Sequence, residues 1–600
     1  MKKITIALLL VILNLPSAFT DELDPIIVTA TRTPQTVDET LASVTVITRE
    51  DIERQQARTI IDLLTGLPGV SISNNGGDGQ VSSLFLRGAS SNQVLFLVDG
   101  VKTGSVTTGS TPFQNIPVDL IERIEIVRGP RSSLYGSEAI GGVVQIFTRK
   151  GGGKTRTFAS IGGGKYDSFD ASAGVSGGGD KGWYNLSVNR SKTNGFDSCE
   201  NQFMGGCFNQ EPDDDGYKEY GGSAQAGYQF DSGVEVDIHA LRSEGEVEFD
   251  GFFNESDTRF QVVGGSLSFS PMDIWRVKIS AGSNWDESRN KGATSSSKFD
   301  SRRDSLSIQS DTFISDNHNL TFGFDYQEDK IDSSTDYDED SRDNKGIYAQ
   351  YLGLFGSQDL QLSLRNDDNE QFGNQTTGNA AWGFTVEEYR FFASYGTAFK
   401  APTFNDLYFP GFSNPNLDPE ESRSYEGGIS GNNFWGNWAI NIYQTYIDDL
   451  IVFDSVLSQP INVDEARIRG FEAVINTSIY KWQINTNITL LDPEITNGVN
   501  DGNVLPRRAR QTFRLDLDRD YGRFSIGSTI YAADKRYDDL ANTEKLGRYA
   551  TVGLRSEVII TNSWRLQGRI ENLFDKDYQT AKYYNQPGRS GFVTLRYSSD

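Results

Sequence analysis

The chain has 600 residues, in which 56 Lys and Arg face 82 Asp and Glu, so that its formal net charge is −26. A chain this acidic shows no basic stripe of the kind that phosphate binding needs, which argues against nucleic acid as a partner. Only 36% of its residues are hydrophobic, but aromatic residues reach 12% and glycines number 61, which excludes a disordered chain and favours an all-β protein.

The N-terminus has the pattern of a secretory signal. Two lysines precede an apolar run from Ile4 to Leu15, and small residues follow Pro16. This pattern predicts a signal peptide over residues 1–20 that is cleaved at about Ala18 to Thr20. A membrane anchor is the alternative, but the run is too short to span comfortably. We expect an exported chain without a helical anchor.

The two cysteines agree with export. Cys199 and Cys207 lie in a segment rich in Gly and Asn, and an even pair in an oxidising compartment predicts a disulfide. Two unpaired thiols remain the alternative. A metal site built on these thiols would need further ligands nearby, and the chain has only two histidines, His239 and His318.

Residues 35–152 mix helix and strand signals and predict a compact α+β domain after a tail over residues 21–34. Thr48 is a candidate helix N-cap, because acidic residues fill the turn that follows it. The other predicted elements are strands Val44–Ile47, Ser83–Arg87, Gln93–Asp99, Ile121–Arg128 and Val143–Thr148, and a short helix Ile60–Leu64.

Residues 153–600 change to alternating apolar and polar positions, as in Trp482 to Leu490. Period two is the strand signature, which a soluble β-sandwich would also produce. Export, length and aromatic residues near strand ends favour a transmembrane barrel, which must close because a bilayer cannot satisfy bare backbone groups. At roughly 20 residues per strand and connection, the region predicts about 22 antiparallel strands around a wide lumen, which the N-terminal domain could fill as a plug.

Several short motifs stand out along the chain. They are Leu67-Pro68-Gly69-Val70, Leu86-Arg87-Gly88, Leu97-Val98-Asp99-Gly100, Glu125-Ile126-Val127-Arg128-Gly129-Pro130, Ser133 to Val143, Phe399-Lys400-Ala401-Pro402, Asn414-Pro415-Asn416-Leu417 and Asn572 to Tyr578. These motifs resemble those of TonB-dependent outer-membrane transporters, and among them the cobalamin (vitamin B12) transporters of Gram-negative bacteria. The resemblance is dense in the N-terminal domain and patchy in the barrel loops.

The resemblance implies an energy-coupling segment near the N-terminus. Asp24-Pro25-Ile26-Ile27-Val28-Thr29-Ala30 resembles the TonB box, a β-prone segment suited to pairing edge-to-edge with a partner strand. The implied partners are the periplasmic protein TonB, the cargo and outer-membrane lipid, with the chain acting as a monomer. Arg87, Arg128 and Arg131, with barrel acids such as Glu426, are candidates for the polar interface between plug and barrel.

The cargo implied by the resemblance is cobalamin. Haem receptors of the family place a histidine between the two barrel motifs, and residues 401–414 contain none. The resemblance implies cobalamin contacts from the plug and from the barrel. They are Val81, Ser83, Ser90, Thr107 and Thr108 in the plug, and Gly251, Lys298 and Arg507 in the barrel.

Acidic residues in the first long loops resemble the calcium-binding loops of the cobalamin transporters. Carboxylates two positions apart can converge on a hard cation that prefers oxygen ligands, although a bare acidic loop is more often merely solvated. The resemblance implies two calcium ions that order the loops before cargo arrives. The implied ligands are Asp197, Glu211, Asp213, Asp215, Asp250 and Asp257, with the carbonyl oxygen of Phe249.

These expectations combine into TonB-dependent, high-affinity import of cobalamin across the outer membrane. A receptor for a siderophore or another metal complex is the alternative within the family, and a passive porin and an adhesin are the alternatives outside it. With only two histidines and no phosphate-binding loop, we expect no enzyme.

Overall fold

A computed structural model describes residues 27–28, 32–199, 211–454 and 457–599. The predicted signal peptide, Cys207 and most of the TonB box (Asp24, Pro25, Ile26, Thr29 and Ala30) lie outside the described residues. Among the described residues, no helix combines the length and apolar character that a bilayer span would require.

The first described strand belongs to the predicted TonB box. Strand β1 (Ile27–Val28) pairs antiparallel with β2 (Gln35–Thr36), with Ile27 opposite Thr36. These four residues form a separate two-stranded sheet.

The N-terminal domain is built on a five-stranded mixed sheet in the order β3-β8-β9-β6-β7, beside a β4–β5 hairpin. Strands β6 and β9 are parallel, and the other neighbours are antiparallel. The elements are β3 (Val44–Ile47), α1 (Arg49–Gln55), α2 (Ile60–Leu64), β4 (Val70–Asn74), β5 (Ser82–Leu86), β6 (Val94–Val98), β7 (Val101–Thr103), β8 (Ile121–Arg128), α3 (Ser132–Tyr135) and β9 (Gly142–Thr148), with 3₁₀ turns at Val37–Glu39, Ser91–Gln93, Phe113–Asn115 and Val118–Leu120.

Reciprocal side-chain caps start the two longer helices of the N-terminal domain, α1 and α2. The Thr48 hydroxyl accepts a hydrogen bond from the Asp51 amide at 3.2 Å, and the Asp51 carboxylate accepts one from the Thr48 amide at 3.0 Å. Thr59 and Asp62 repeat this arrangement at α2. The predicted N-cap at Thr48 is therefore confirmed, and it works by satisfying amides that have no partner inside the helix.

The C-terminal region is a closed antiparallel barrel of the predicted number of strands. Each strand pairs with its neighbours in the chain, and β35 returns to pair with β10. The barrel strands are β10 (Arg156–Gly164), β11 (Ser168–Gly178), β12 (Gly182–Phe196), β13 (Asp215–Gln229), β14 (Glu235–Glu248), β15 (Glu255–Met272), β16 (Trp275–Lys291), β17 (Ser296–Ser315), β18 (His318–Ser333), β19 (Ser341–Phe355), β20 (Gln358–Asn369), β21 (Gly373–Val386), β22 (Tyr389–Lys400), β23 (Glu420–Asn433), β24 (Gly436–Asp454), β25 (Gln459–Ile479), β26 (Trp482–Ile495), β27 (Gln511–Asp520), β28 (Phe524–Ala533), β31 (Tyr549–Ile559), β32 (Trp564–Glu571) and β35 (Ser590–Ser598).

Connection length orients the barrel. At one end the strands are joined by turns of two to five residues, whereas connections at the other end reach 19 residues. Outer-membrane barrels carry their short turns at the periplasmic end and their long loops outside. The long loops contain the remaining elements, which are α4 (Phe404–Tyr408), β29 (Arg536–Tyr537), β30 (Lys545–Leu546), β33 (Gln579–Ala581) and β34 (Tyr584–Asn585).

The N-terminal domain lies inside the barrel, as predicted, and acts as a plug. Its core residues Leu63 and Phe96 belong to the same buried cluster as Phe260 and Val262 of strand β15. The outer face of the wall is apolar, with Ile238 59% and Ile347 62% exposed, which suits contact with lipid.

Candidate functional site

Three plug segments approach the end of the barrel that carries the long loops. We name them the first apex (residues 75–81), the second apex (residues 87–91) and the third apex (residues 104–110). Together with the extracellular loops they contain six of the eight predicted cargo contacts, and the other two, Ser83 and Lys298, lie near the starts of strands β5 and β17.

The first apex is a tight loop between β4 and β5. The Asn74 side-chain oxygen accepts hydrogen bonds from the amides of Gly76 (2.8 Å) and Gly77 (2.9 Å), which fixes the start of the loop. Val81 is 64% exposed at its end, whereas Ser83 is half-buried in β5. The loop therefore presents an apolar side chain on a rigid base.

The second apex is tied to an extracellular loop of the barrel. The Arg508 guanidinium donates to the Ser90 hydroxyl at 2.9 Å and to the Gly88 carbonyl at 2.9 Å. The Ser90 amide donates to the Gln93 side chain at 2.8 Å. Burial lowers the pKa of Arg508 to about 9, with the charge of Arg507 adding to the effect. Arg508 was not among the predicted site residues.

The third apex pairs a buried threonine with an exposed one. The Thr107 hydroxyl lies 2.8 Å from that of Ser105, and the Thr107 carbonyl accepts a hydrogen bond from the Asn405 amide at 3.0 Å. Thr108 is exposed. Of the two predicted contacts, Thr108 can meet a ligand directly, whereas Thr107 holds the apex against the barrel loop.

The three predicted barrel contacts lie in or beside extracellular loops. Gly251 lies between β14 and β15, and Lys298, near the start of β17, is ion-paired with Asp300 (3.0 Å) and Asp332 (2.6 Å). Arg507 forms a two-pronged pair with Asp538 at 2.8 and 3.1 Å. Both cations are about one-third exposed, so they can turn toward a ligand.

Five predicted calcium ligands converge beside the first apex. Ligand oxygens of Asp197, Asp215 and Asp250 lie within 4.8 Å of one another, and so do those of Glu211, Asp213 and Asp250. Among the described residues, no ion pair joins any of these five carboxylates to a Lys or Arg. Asp250 is common to both groups, which makes it the centre of a strongly acidic cluster.

The environment of the Asp250 side chain disfavours its negative charge. It is 6% exposed, its Oδ1 accepts a hydrogen bond from the Glu211 amide at 3.1 Å, and its buried Oδ2 has no partner among the described residues. Burial, followed by repulsion from the neighbouring aspartates, raises the pKa of Asp250 to about 7. An orphaned oxygen in an all-oxygen, acidic cluster is what a hard divalent cation would satisfy.

The two remaining predicted ligands and Cys199 are placed differently. Asp257 is paired with Lys291 at 2.8 Å and is 42% exposed. The Phe249 amide donates to the Asn254 carbonyl at 3.1 Å in the adjoining loop. Cys199 is buried next to the cluster, and because Cys207 lies outside the described residues, the disulfide stays a prediction.

Sequence reasoning missed the last extracellular loop, which joins the first apex to the carboxylate cluster. Gln586 donates to the Asn74 carbonyl at 3.0 Å, and the Asn585 amide donates to the Ser198 carbonyl at 2.8 Å. Tyr584 forms a β-bridge with Cys199. The Asn572 to Tyr578 motif marks the start of this loop, but its sequence does not indicate that the loop contacts Asn74 and Ser198, which are far away in the chain.

A buried ion-pair group joins the plug to the barrel wall. Arg87 donates to Glu472 at 3.0 and 2.9 Å and to Glu426 at 2.8 Å, all three side chains being at most 5% exposed. The predicted Arg87–Glu426 contact is confirmed. Arg128 and Arg131 were predicted to join this interface, but they donate instead to plug atoms, such as the Pro68 carbonyl at 2.7 Å from Arg128.

Comparisons with known proteins agree with this architecture. The family described as "TonB-dependent Receptor Plug Domain" matches residues 36–143, and the family described as "TonB dependent receptor-like, beta-barrel" matches residues 151–573. The vitamin B12 transporter BtuB of Photobacterium profundum is 32% identical over 616 aligned residues, which cover 100% of both chains. That of Vibrio vulnificus is 33% identical and covers 96% of this chain and 95% of its own.

Solved structures share the fold at low identity. The siderophore receptor PirA of Acinetobacter baumannii has a TM-score of 0.81 at 19% identity and covers 93% of this chain and 98% of its own. A mutant of the ferric enterobactin receptor PfeA of Pseudomonas aeruginosa has a TM-score of 0.79 at 18% identity, with the same coverage. These similarities establish the fold alone.

Proposed function

Because the chain belongs to the family of TonB-dependent outer-membrane receptors, which are transporters and not enzymes, we propose that its cargo is a cobalamin. The observation that carries this proposal is the identity of 32–33% with two vitamin B12 transporters over almost the full length of each chain. A receptor for a siderophore or another metal complex is the second candidate.

The plug makes the import energy-dependent. The plug fills the lumen and is fixed to the wall by buried ion pairs, so passive flow is blocked. The outer membrane has no supply of ATP, so the energy for import must come from the periplasm through TonB. Strand β1 belongs to a sheet of only two described strands, so its outer edge is open to a partner strand in the β-addition mode.

The three apices and the loops around them would receive the cargo. Val81 supplies an apolar contact and Thr108 a hydroxyl. Lys298 and Arg507 supply cations, each of which can leave its aspartate partner and bind a polar group of the ligand instead. A bulky, amide-rich corrinoid suits such a mixed polar and apolar rim. Ser83, Ser90, Thr107 and Gly251 would complete the site.

Two calcium ions would stabilise this rim. One would be held by Asp197, Asp215 and Asp250, and the other by Glu211, Asp213 and Asp250, with the Phe249 carbonyl as a further oxygen. Asp257 could join only by leaving Lys291. The ions would supply positive charge to a repelling cluster and order the loops, so that less entropy is lost when cargo binds.

Isothermal titration of the purified, detergent-solubilised protein tests the assignment. We expect cyanocobalamin to bind saturably at one site, and more tightly in calcium than in a calcium chelator. Absence of binding to cyanocobalamin, with saturable binding of a ferric siderophore, would reject cobalamin in favour of the second candidate. Equal cobalamin affinity with and without calcium would remove the role assigned to the carboxylates.

A further inference from the structure

Two cavities lie one below the other along a single flank of the plug. The upper one, of about 250 Å³, separates helix α2 and strand β4 from barrel strands β27, β28, β31 and β32. The lower one, of about 80 Å³, lies between helix α1 and strands β26 and β27. Both are bounded by the plug on one side and the barrel wall on the other.

Together the cavities extend along most of the barrel's height. The upper cavity begins at Gly77 and Gln586 among the extracellular loops and descends to Thr529 and Arg555 within the wall. The lower cavity reaches Asn485, three residues after β26 begins at the periplasmic end.

The contacts of one side chain, Arg514, separate the two cavities. Gln55 and Arg514 line both of them, and the Arg514 guanidinium donates to the Gln55 side-chain oxygen at 2.7 Å. Arg514 is itself held by Asp516 of the same strand at 2.8 Å. Arg514 also donates to the Thr65 carbonyl at 2.5 Å, so the constriction consists of two hydrogen bonds from one guanidinium of strand β27 to the plug.

The ion pairs that hold this flank are more accessible than the buried group around Arg87. Arg54 pairs with Asp518 at 2.7 Å with side chains 31% and 10% exposed, and Arg569 pairs with Asp62 at 3.1 Å with side chains 14% and 29% exposed. The Arg87 pair with Glu472 is 4% and 0% exposed. The strength of an ion pair falls as water reaches it, so these partly exposed pairs are weaker than the buried Arg87 group, which is costly to break.

We propose that cargo crosses the barrel along this flank, and that Gln55 and Arg514 form the gate of the passage. Because the upper cavity is far smaller than a bulky cargo, helices α1 and α2 must move away from β26–β32 while the more deeply anchored remainder of the plug stays in place. The passage is lined by polar groups such as those of Asn485 and Arg555 and by apolar side chains such as Ile72 and Leu554, which suits a cargo with both kinds of surface. The inference rests on the import function but not on the identity of the cargo.

Cross-links on opposite walls test the passage. Asp62→Cys with Arg569→Cys places a thiol on α2 and one on β32, whereas Ser133→Cys with Ser363→Cys joins α3 to β20, where the two hydroxyls lie 2.8 Å apart. Strand β20 lies ten places round the barrel from β32, almost diametrically opposite. Each variant is locked in cells with the same short bifunctional thiol reagent, and the parent chain is treated alike to account for Cys199 and Cys207.

We expect the lock at residues 62 and 569 to lower uptake of labelled cobalamin at least tenfold while surface binding is unchanged. The lock at residues 133 and 363 should leave uptake within twofold of the parent. Uptake that persists with the first lock, or that falls equally with both, would overturn the proposal.

A second measurement needs neither cargo nor TonB. Gln55→Ala removes one of the two hydrogen bonds at the gate and most of the side chain between the two cavities, and we expect the variant to conduct ions in a planar bilayer at least threefold more than the parent. Ser133→Ala on the other flank is the control and should not conduct more. An unchanged conductance for Gln55→Ala would also overturn the proposal. If the parent protein fails to bind cobalamin, the cargo assignment is rejected. The conductance measurement would still test whether the passage lies along this flank.

Discussion

Replacing Arg87 by methionine is expected to loosen the plug from the barrel wall more than any other single change in their interface. The guanidinium of Arg87 is shared between Glu472, at 3.0 and 2.9 Å, and Glu426, at 2.8 Å. It also lies 4.2 Å from the centre of the Tyr443 ring. Methionine keeps much of the side-chain volume but leaves two buried carboxylates without their shared cation.

The expected magnitude follows from that uncompensated charge. Removing one partner of a buried ion pair costs about 3–5 kcal/mol, because the other charge stays buried. Since 1.4 kcal/mol corresponds to a factor of ten, the population of plug detached from the wall should rise by roughly 10²- to 4 × 10³-fold. Glu426→Gln should cost only about 1 kcal/mol, because Arg87 keeps both hydrogen bonds to Glu472.

Native-state hydrogen exchange of the β4–β5 hairpin in detergent measures this population, since the barrel itself remains folded. The triple variant Arg87→Met, Glu426→Gln, Glu472→Gln is the matched control, and we expect it to recover most of the loss because no buried charge is left unpaired. An exchange rate in Arg87→Met within threefold of the parent would refute the reasoning. So would a triple variant that exchanges as fast as the single one.

Three further predictions concern the cargo face and the plug. Asp250→Asn should weaken calcium binding at least tenfold by calorimetry, whereas Asp257→Asn, whose carboxylate is paired with a lysine, should change it less than twofold. Gly79→Ala should weaken cobalamin binding, since Gly79 has φ +74° and a Cβ there would lie 2.2 Å from the Tyr217 ring, displacing the first apex; unchanged affinity would contradict this. Burial lowers the pKa of Lys102 to about 8 from its usual 10.5, so the free energy of unfolding of the plug should rise with pH between these values. Lys102→Met should abolish that rise, as measured by urea-dependent hydrogen exchange.

The barrel could be predicted because its signal is repeated. Alternation such as Trp482 to Leu490 recurs along the C-terminal region, and a closed sheet follows once the chain is exported into a bilayer. Short elements of the plug were also found from local patterns, since a cap such as Thr48 involves neighbours in the chain. Their ends shifted by about one residue, as in β5 (Ser82–Leu86), because pairing with another strand decides where a strand stops.

Contacts across the plug–barrel interface could not be predicted to the same degree. Glu472 binds Arg87 across 385 positions of sequence and carries no local mark that distinguishes it from other glutamates in the wall. Asp257 shows a second limit. Its neighbour Ser256 is buried, so the alternation of the strand turns Asp257 to the other face, where Lys291 lies in the adjacent strand.

Uptake and binding of radiolabelled cobalamin, measured on the same cells, test the central claim most directly. Val28→Pro removes a backbone N–H from strand β1 and should prevent the strand from pairing with TonB. Val28→Ile is the matched control. We expect Val28→Pro to reduce uptake to the level of cells without TonB while binding at the surface stays within twofold of the parent. Uptake that continues unchanged in Val28→Pro would contradict energy-coupled import through a plugged barrel.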